Sequence, residues 1–90
     1  MSNSFAGNIL SLNELYTSTD KEVINQNIDK ILSCETSRER DLRLMHYTDS
    51  GKHTVVAWMN RGRPDVKIPL MKLCMLAQEL ETDISVFFES

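Results

Sequence analysis

Asp49-Ser50-Gly51-Lys52-His53-Thr54-Val55-Val56-Ala57-Trp58-Met59-Asn60-Arg61-Gly62-Arg63-Pro64 is the stretch around which the chain is organised. It opens on turn residues and closes on Gly62 with a proline two places beyond, stop signals that bracket one short helix from about Lys52 to Asn60. Val55, Trp58 and Met59 fall three and four apart and share one face. His53, Val56, Ala57 and Asn60 share the opposite face, with Lys52 at its N-terminal edge. A merely solvated face would carry more Lys and Glu. Small apolar groups beside hydrogen-bonding ones suit the major groove of a DNA duplex, whose base edges offer acceptors, donors and thymine methyls.

Upstream, Thr36 and Glu39 form a capping-box pair, so a helix is expected from near Ser37 to Tyr47. Leu42, Met45 and, on the flank, Leu44 are expected to point inward. Arg38, Arg40 and Arg43 lie toward its N-terminal half, with Glu35, Glu39 and Asp41 as alternative local partners. Thr48 to Gly51 is the turn. Downstream, Arg61, Arg63 and Lys67 occupy an exit loop punctuated by Gly62 and Pro64. Pro69 is placed to begin the next helix. Leu70, Leu73, Cys74, Ala77 and Leu80 make its core face, and Met71, Met75 and Leu76 widen the apolar surface to most of its circumference.

The run Thr54-Val55, Trp58, Asn60-Arg61-Gly62-Arg63-Pro64 and Ile68-Pro69 resembles the recognition helix and following turn of Cro/repressor-type (XRE-like) helix-turn-helix proteins of the phage and plasmid branch. The resemblance covers roughly Ile28 to Ile84. It departs from the family pattern at Met45, where a small Ala is usual, and at Asp49, where Gly is usual. It implies an all-α, lambda-repressor-like helix-turn-helix domain of about five helices, with 37–60 as the motif. In such a domain the helix over 37–47 crosses the DNA backbone with its N-terminus near a phosphate.

The flanking segments complete that plan. Residues 1–8 read as a mobile arm. Ile9, Leu12, Leu15 and Tyr16 recur at helical spacing. Thr19 and Glu22 suggest a second capping box. A helix is then expected over Asp20 to Cys34, with Val23, Ile24, Ile28, Ile31 and Leu32 inward and Lys21, Asn25, Asp29 and Lys30 toward water. Residues 81–90 form an apolar tail, a short strand or last helical turn in which Ile84, Val86, Phe87 and Phe88 either close the core or meet a second chain. Large apolar side chains near a chain end are costly to leave wet, at roughly 1.5–3 kcal/mol each.

At 90 residues the chain fits one domain with a modest core. Its formal charge of −3 is unevenly spread. Residues 1–36 hold two Lys against five acids, residues 37–72 eight Lys and Arg against four acids, and residues 73–90 four acids and no base. Positive charge is thus concentrated around the motif, as phosphate binding requires. No apolar run approaches the ~20 residues that span a bilayer, and no basic segment leads into an apolar stretch, so a cytoplasmic protein with no membrane partner is expected. In that compartment Cys34 and Cys74 are expected as free buried thiols. Zinc-ligand spacing and a Gly-rich phosphate loop are absent, and no spacing joins either Cys to His46 or His53 as a nucleophile and base. No enzyme activity, cofactor or metal is expected.

The sequence therefore reads as a homodimeric repressor of a palindromic double-stranded DNA operator. The candidate base readers are Lys52, His53, Val56, Ala57 and Asn60. The candidate phosphate contacts are Arg38, Arg43, Thr54, Arg61, Arg63 and Lys67. The dimer interface is expected at Ile84, Val86, Phe87 and Phe88. The alternative is the antitoxin of a toxin–antitoxin pair, which represses its own operon and masks a toxin through the Ile9–Tyr16 segment or the Phe87-Phe88 tail. A third reading, an adaptor that binds no nucleic acid, would show no salt-dependent shift with duplex DNA.

Overall fold

A computed structural model describes the backbone of residues 4–90 and the side chains of residues 11–90. Among the described residues five α-helices follow one another: α1 over Ser4–Ser18, α2 over Lys21–Leu32, α3 over Ser37–Thr48, α4 over Lys52–Met59 and α5 over Leu70–Glu79. A 3-10 turn over Ile84–Phe88 ends the order, and the described residues contain no strand.

Each boundary has a local cause. Helix α1 is described from Ser4 onward, so residues 4–8 of the expected arm are helical. Gly7 weakens a helix by about 1 kcal/mol but does not stop it. Residues 1–3 of that arm, and the side chain of Ile9, lie outside the described residues. The Thr19–Glu22 capping box does not form. The Thr19 hydroxyl instead donates to the Leu15 carbonyl, and Asp20 takes the N-cap of α2. Helix α2 ends early because Ser33 adopts a left-handed φ of 53° and returns its N–H to Asp29. At α3 the expected cap is present, with Thr36 Oγ1 accepting from the Glu39 N–H at 3.1 Å. Asp49 ends α3 in the left-handed region, φ 53° and ψ 51°, a conformation Asp tolerates better than most residues. Pro69 stands just before α5 as its N-cap.

Ile24, Ile28 and Leu32 of α2, Leu44 of α3, Val55 and Trp58 of α4, Ile68, and Leu73, Leu76 and Ala77 of α5 are buried together. Phe87 and Phe88 belong to the same core. This corrects their expected place at a dimer interface. The 3-10 turn packs on α2, α5 and α1, and Asn27, itself buried, donates Nδ2 to the carbonyls of Phe87 at 2.8 Å and Glu89 at 2.7 Å. The last apolar residues thus close their own chain's core. Ile84 and Val86 are half-buried against it.

Two helical phases also differ from expectation. On α3, Leu44 is buried and Leu42 is 54% exposed. On α5, Leu76 takes the core position expected for Cys74, which is exposed. Cys34 is half-buried, and both thiols are free. Helix α1 docks through Tyr16, whose hydroxyl donates to the Ile68 carbonyl at 2.7 Å and whose ring meets Phe88 edge-on. No described helix is long and apolar enough to cross a membrane.

Candidate nucleic-acid interface

Helix α4 is anchored by one face and open on the other. Val55 and Trp58 are buried and Met59 is half-buried, because α4 packs against α3 across the Asp49–Gly51 connection. That connection is tied down internally. The buried Thr48 hydroxyl donates to the Leu44 carbonyl at 2.6 Å, and Lys72 of α5 donates to the Thr48 carbonyl at 2.9 Å. The Lys72 bond satisfies a carbonyl left over at the end of α3 and places a cation at the negative end of its dipole.

The outward face carries the expected residues. Lys52, His53, Thr54, Val56 and Asn60 are exposed, and Ala57 is half-buried. Lys52 and His53 stand in the first turn of α4, the end that in a groove-reading helix meets base edges. Asn60 is only partly free. Its Oδ1 accepts the Gly62 N–H at 2.8 Å, which turns the chain out of the helix. Glycine conformation does not stop α4, since no glycine has a positive φ. Asn60 turns extended instead, at φ −82° and ψ 115°.

The bases divide into free and committed ones. Arg38, Arg61 and Arg63 are exposed, and no salt bridge forms to them among the described residues. Arg43 is exposed with a loose 3.4 Å contact to Glu39 one turn back, a pairing worth only about 0.3–0.5 kcal/mol. Arg40 is held between Asp29 at 3.1 Å and Asp41 at 3.0 Å. Burial works against its charge, but the hydrogen bonds to Asp29 and Asp41 outweigh that and raise its pKa. It serves as a bridge between α2 and α3.

Lys67 does not stand as a free phosphate contact. Its ammonium donates to the Tyr16 carbonyl at 2.7 Å and lies 4.3 Å from the centre of the Tyr16 ring. Burial lowers its pKa, and the nearby Asp20 opposes that shift. Lys67 fastens α1 to the loop before α5.

Two residues expected to face water reach α4 instead. Lys21 Nζ donates to the carbonyls of Ala57 at 3.2 Å, Asn60 at 2.8 Å and Arg63 at 2.7 Å. Asn25 Nδ2 donates to the Trp58 carbonyl at 3.1 Å. One sequence signal for Lys21 existed. It is a base in the first turn of a helix, the end where the dipole disfavours positive charge, which hints at a partner outside its own helix. Nothing in the sequence marks Asn25.

Among the described residues, no three His, Cys, Asp or Glu side chains gather as a metal site. No protein-family model, curated protein or solved structure matches the chain.

Proposed function

We propose that this chain is a sequence-specific double-stranded DNA-binding regulator of the lambda-repressor-like helix-turn-helix type, acting as a homodimeric repressor. One observation carries the reading. Helix α4 is locked to the core by Val55 and Trp58 while Lys52, His53, Thr54 and Val56 stand in solvent, and its exit loop carries the exposed Arg61 and Arg63. A rigid short helix with hydrogen-bonding and small apolar groups, flanked by cations, meets the two needs of duplex recognition. Base edges are read by the helix and phosphates by the flanking bases.

In this reading Lys52 and His53 read acceptors on base edges, and Val56 and Ala57 meet thymine methyls. Asn60 adds a donor through Nδ2. Arg38, Arg43, Thr54, Arg61 and Arg63 hold the phosphates. A single helix reads only a few base pairs, so a two-fold pair on a palindrome is part of the proposal. With Phe87 and Phe88 committed to the core, the contact between copies falls to other apolar groups. Outside α3 and α4, the large hydrophobic side chains left exposed among the described residues are Leu15 at 41% and Met71 at 73%.

The test is nuclear magnetic resonance of the labelled protein titrated with a mixed-sequence duplex at low salt. Amide shifts confined to the N-terminal half of α3, to α4 and to residues 60–64 support the reading. Absence of shifts, or shifts confined to α5 and the C-terminal turn, refutes it.

A further inference from the structure

Lys21 sits on α2, yet all the hydrogen bonds of its ammonium run to α4 and the loop beyond it. An ammonium has three donors, and the three acceptors here are the carbonyls of Ala57, Asn60 and Arg63. Ala57 lies in the last turn of α4, where its carbonyl has only a long 3.4 Å bond from the Asn60 N–H. Asn60 and Arg63 bracket the exit loop. Both of their carbonyls also accept backbone N–H groups, from Arg63 at 3.1 Å and from Val66 at 3.0 Å. One turn further along α2, Asn25 takes the Trp58 carbonyl. A cation at this end of α4 also suits its dipole.

We infer that Lys21 is a positioning residue for duplex recognition: by gathering the Ala57, Asn60 and Arg63 carbonyls it sets the end of α4 and the path of the loop that presents Arg61 and Arg63. This rests on reading α4 as the DNA-contacting helix. Lys21 itself touches no DNA in this scheme. Its donors are spent on backbone, so it adds nothing to the count of phosphate contacts. Burial lowers its pKa, Asp65 raises it and Arg63 lowers it. That places the ammonium within the electrostatic reach of the same loop. An arginine stands in only in part, because its donors are spread over a planar fork and do not radiate from one nitrogen.

The experiment compares the full-length wild type with Lys21→Met, which keeps the stem and removes the donors, and with Lys21→Arg. Amide hydrogen exchange of the free proteins is read first. Lys21→Met should speed exchange at residues 61–66 by about tenfold or more, leaving Leu44 and Leu73 unchanged. Affinity is then measured on a duplex enriched by the wild type and on random duplex. Lys21→Met should lose roughly tenfold on the enriched duplex and clearly less on random duplex, with its salt slope unaltered because no phosphate-binding cation is removed. Lys21→Arg should restore only part of that loss. Unchanged loop exchange overturns the inference. Faster exchange throughout the core reduces Lys21 to a general stabilising contact and also overturns it. Equal loss on both duplexes, with a salt slope lower by about one, makes it a phosphate contact. If the wild type enriches no duplex, the DNA reading fails and Lys21's role in recognition with it. Loop exchange then still decides whether Lys21 orders residues 61–66.

Discussion

Replacing Phe87 with Ala should remove a large part of the fold's stability, although the residue lies only three places before Ser90. Phe87 is wholly buried beside Ile24, Ile28 and Leu73 in one core, and its carbonyl accepts from Asn27. Truncating a buried Phe to Ala costs about 3–5 kcal/mol in transfer and cavity terms. Domains carry roughly 0.05–0.15 kcal/mol per residue, so a chain of 90 residues holds about 5–13 kcal/mol in all. At a urea m-value of about 1.2 kcal/mol/M, near the low end for small proteins, the midpoint should fall by about 2.5–4 M. The single, buried Trp58 supplies the fluorescence signal. Unfolding is followed at two protein concentrations twentyfold apart. A core defect gives the same deficit at both, whereas loss of an interface depends on concentration. If Phe87→Ala leaves the midpoint in place but halves the sedimenting mass, the residue works between chains and this account of the C-terminal turn is refuted.

Lys52→Ala and His53→Ala should each cost roughly 1–3 kcal/mol on the specific site and little on random duplex; equal losses on both would demote them to backbone contacts. Arg61→Ala and Arg63→Ala should weaken binding to every duplex and each lower the salt slope by about one. Lys67→Ala should leave that slope unchanged, because its ammonium is spent on Tyr16; a slope reduced by one would show that Lys67 reaches phosphate. The Asp83 carboxylate accepts from the Ser85 N–H at 2.9 Å, and that bond holds its pKa below the usual carboxylate range. Its contribution to the C-terminal turn is therefore present at neutral pH and lost as pH falls through the depressed value. The Ser85 amide resonance should move with that titration in the wild type and stay still in Asp83→Asn.

The parts of the fold legible in the sequence were those governed by near neighbours. Thr36 with Glu39, and Asp49 at the turn, are local devices whose partners lie within a few residues. The anchored face of α4 was legible because Val55 and Trp58 keep a clean helical spacing. Phase failed where spacing is ambiguous. Helix α3 offers Leu42, Leu44 and Met45 so close together that either side can face inward, and packing chose Leu44. Helix α5 is apolar around most of its circumference, so Cys74 and Leu76 could exchange roles. The committed cations were illegible for a different reason. Lys21 and Lys67 bond backbone carbonyls 36 to 51 residues away, and a long side chain reaching to another element leaves no periodic trace. The same holds for Asn27, whose partners lie 60 and 62 residues on.

Selection of duplexes from a random pool by the wild-type protein tests the central claim most directly. Two copies of α4 related by a two-fold axis should enrich a palindrome whose half-site centres lie about 10 base pairs apart. A pool with no enrichment over its starting composition would contradict sequence-specific binding.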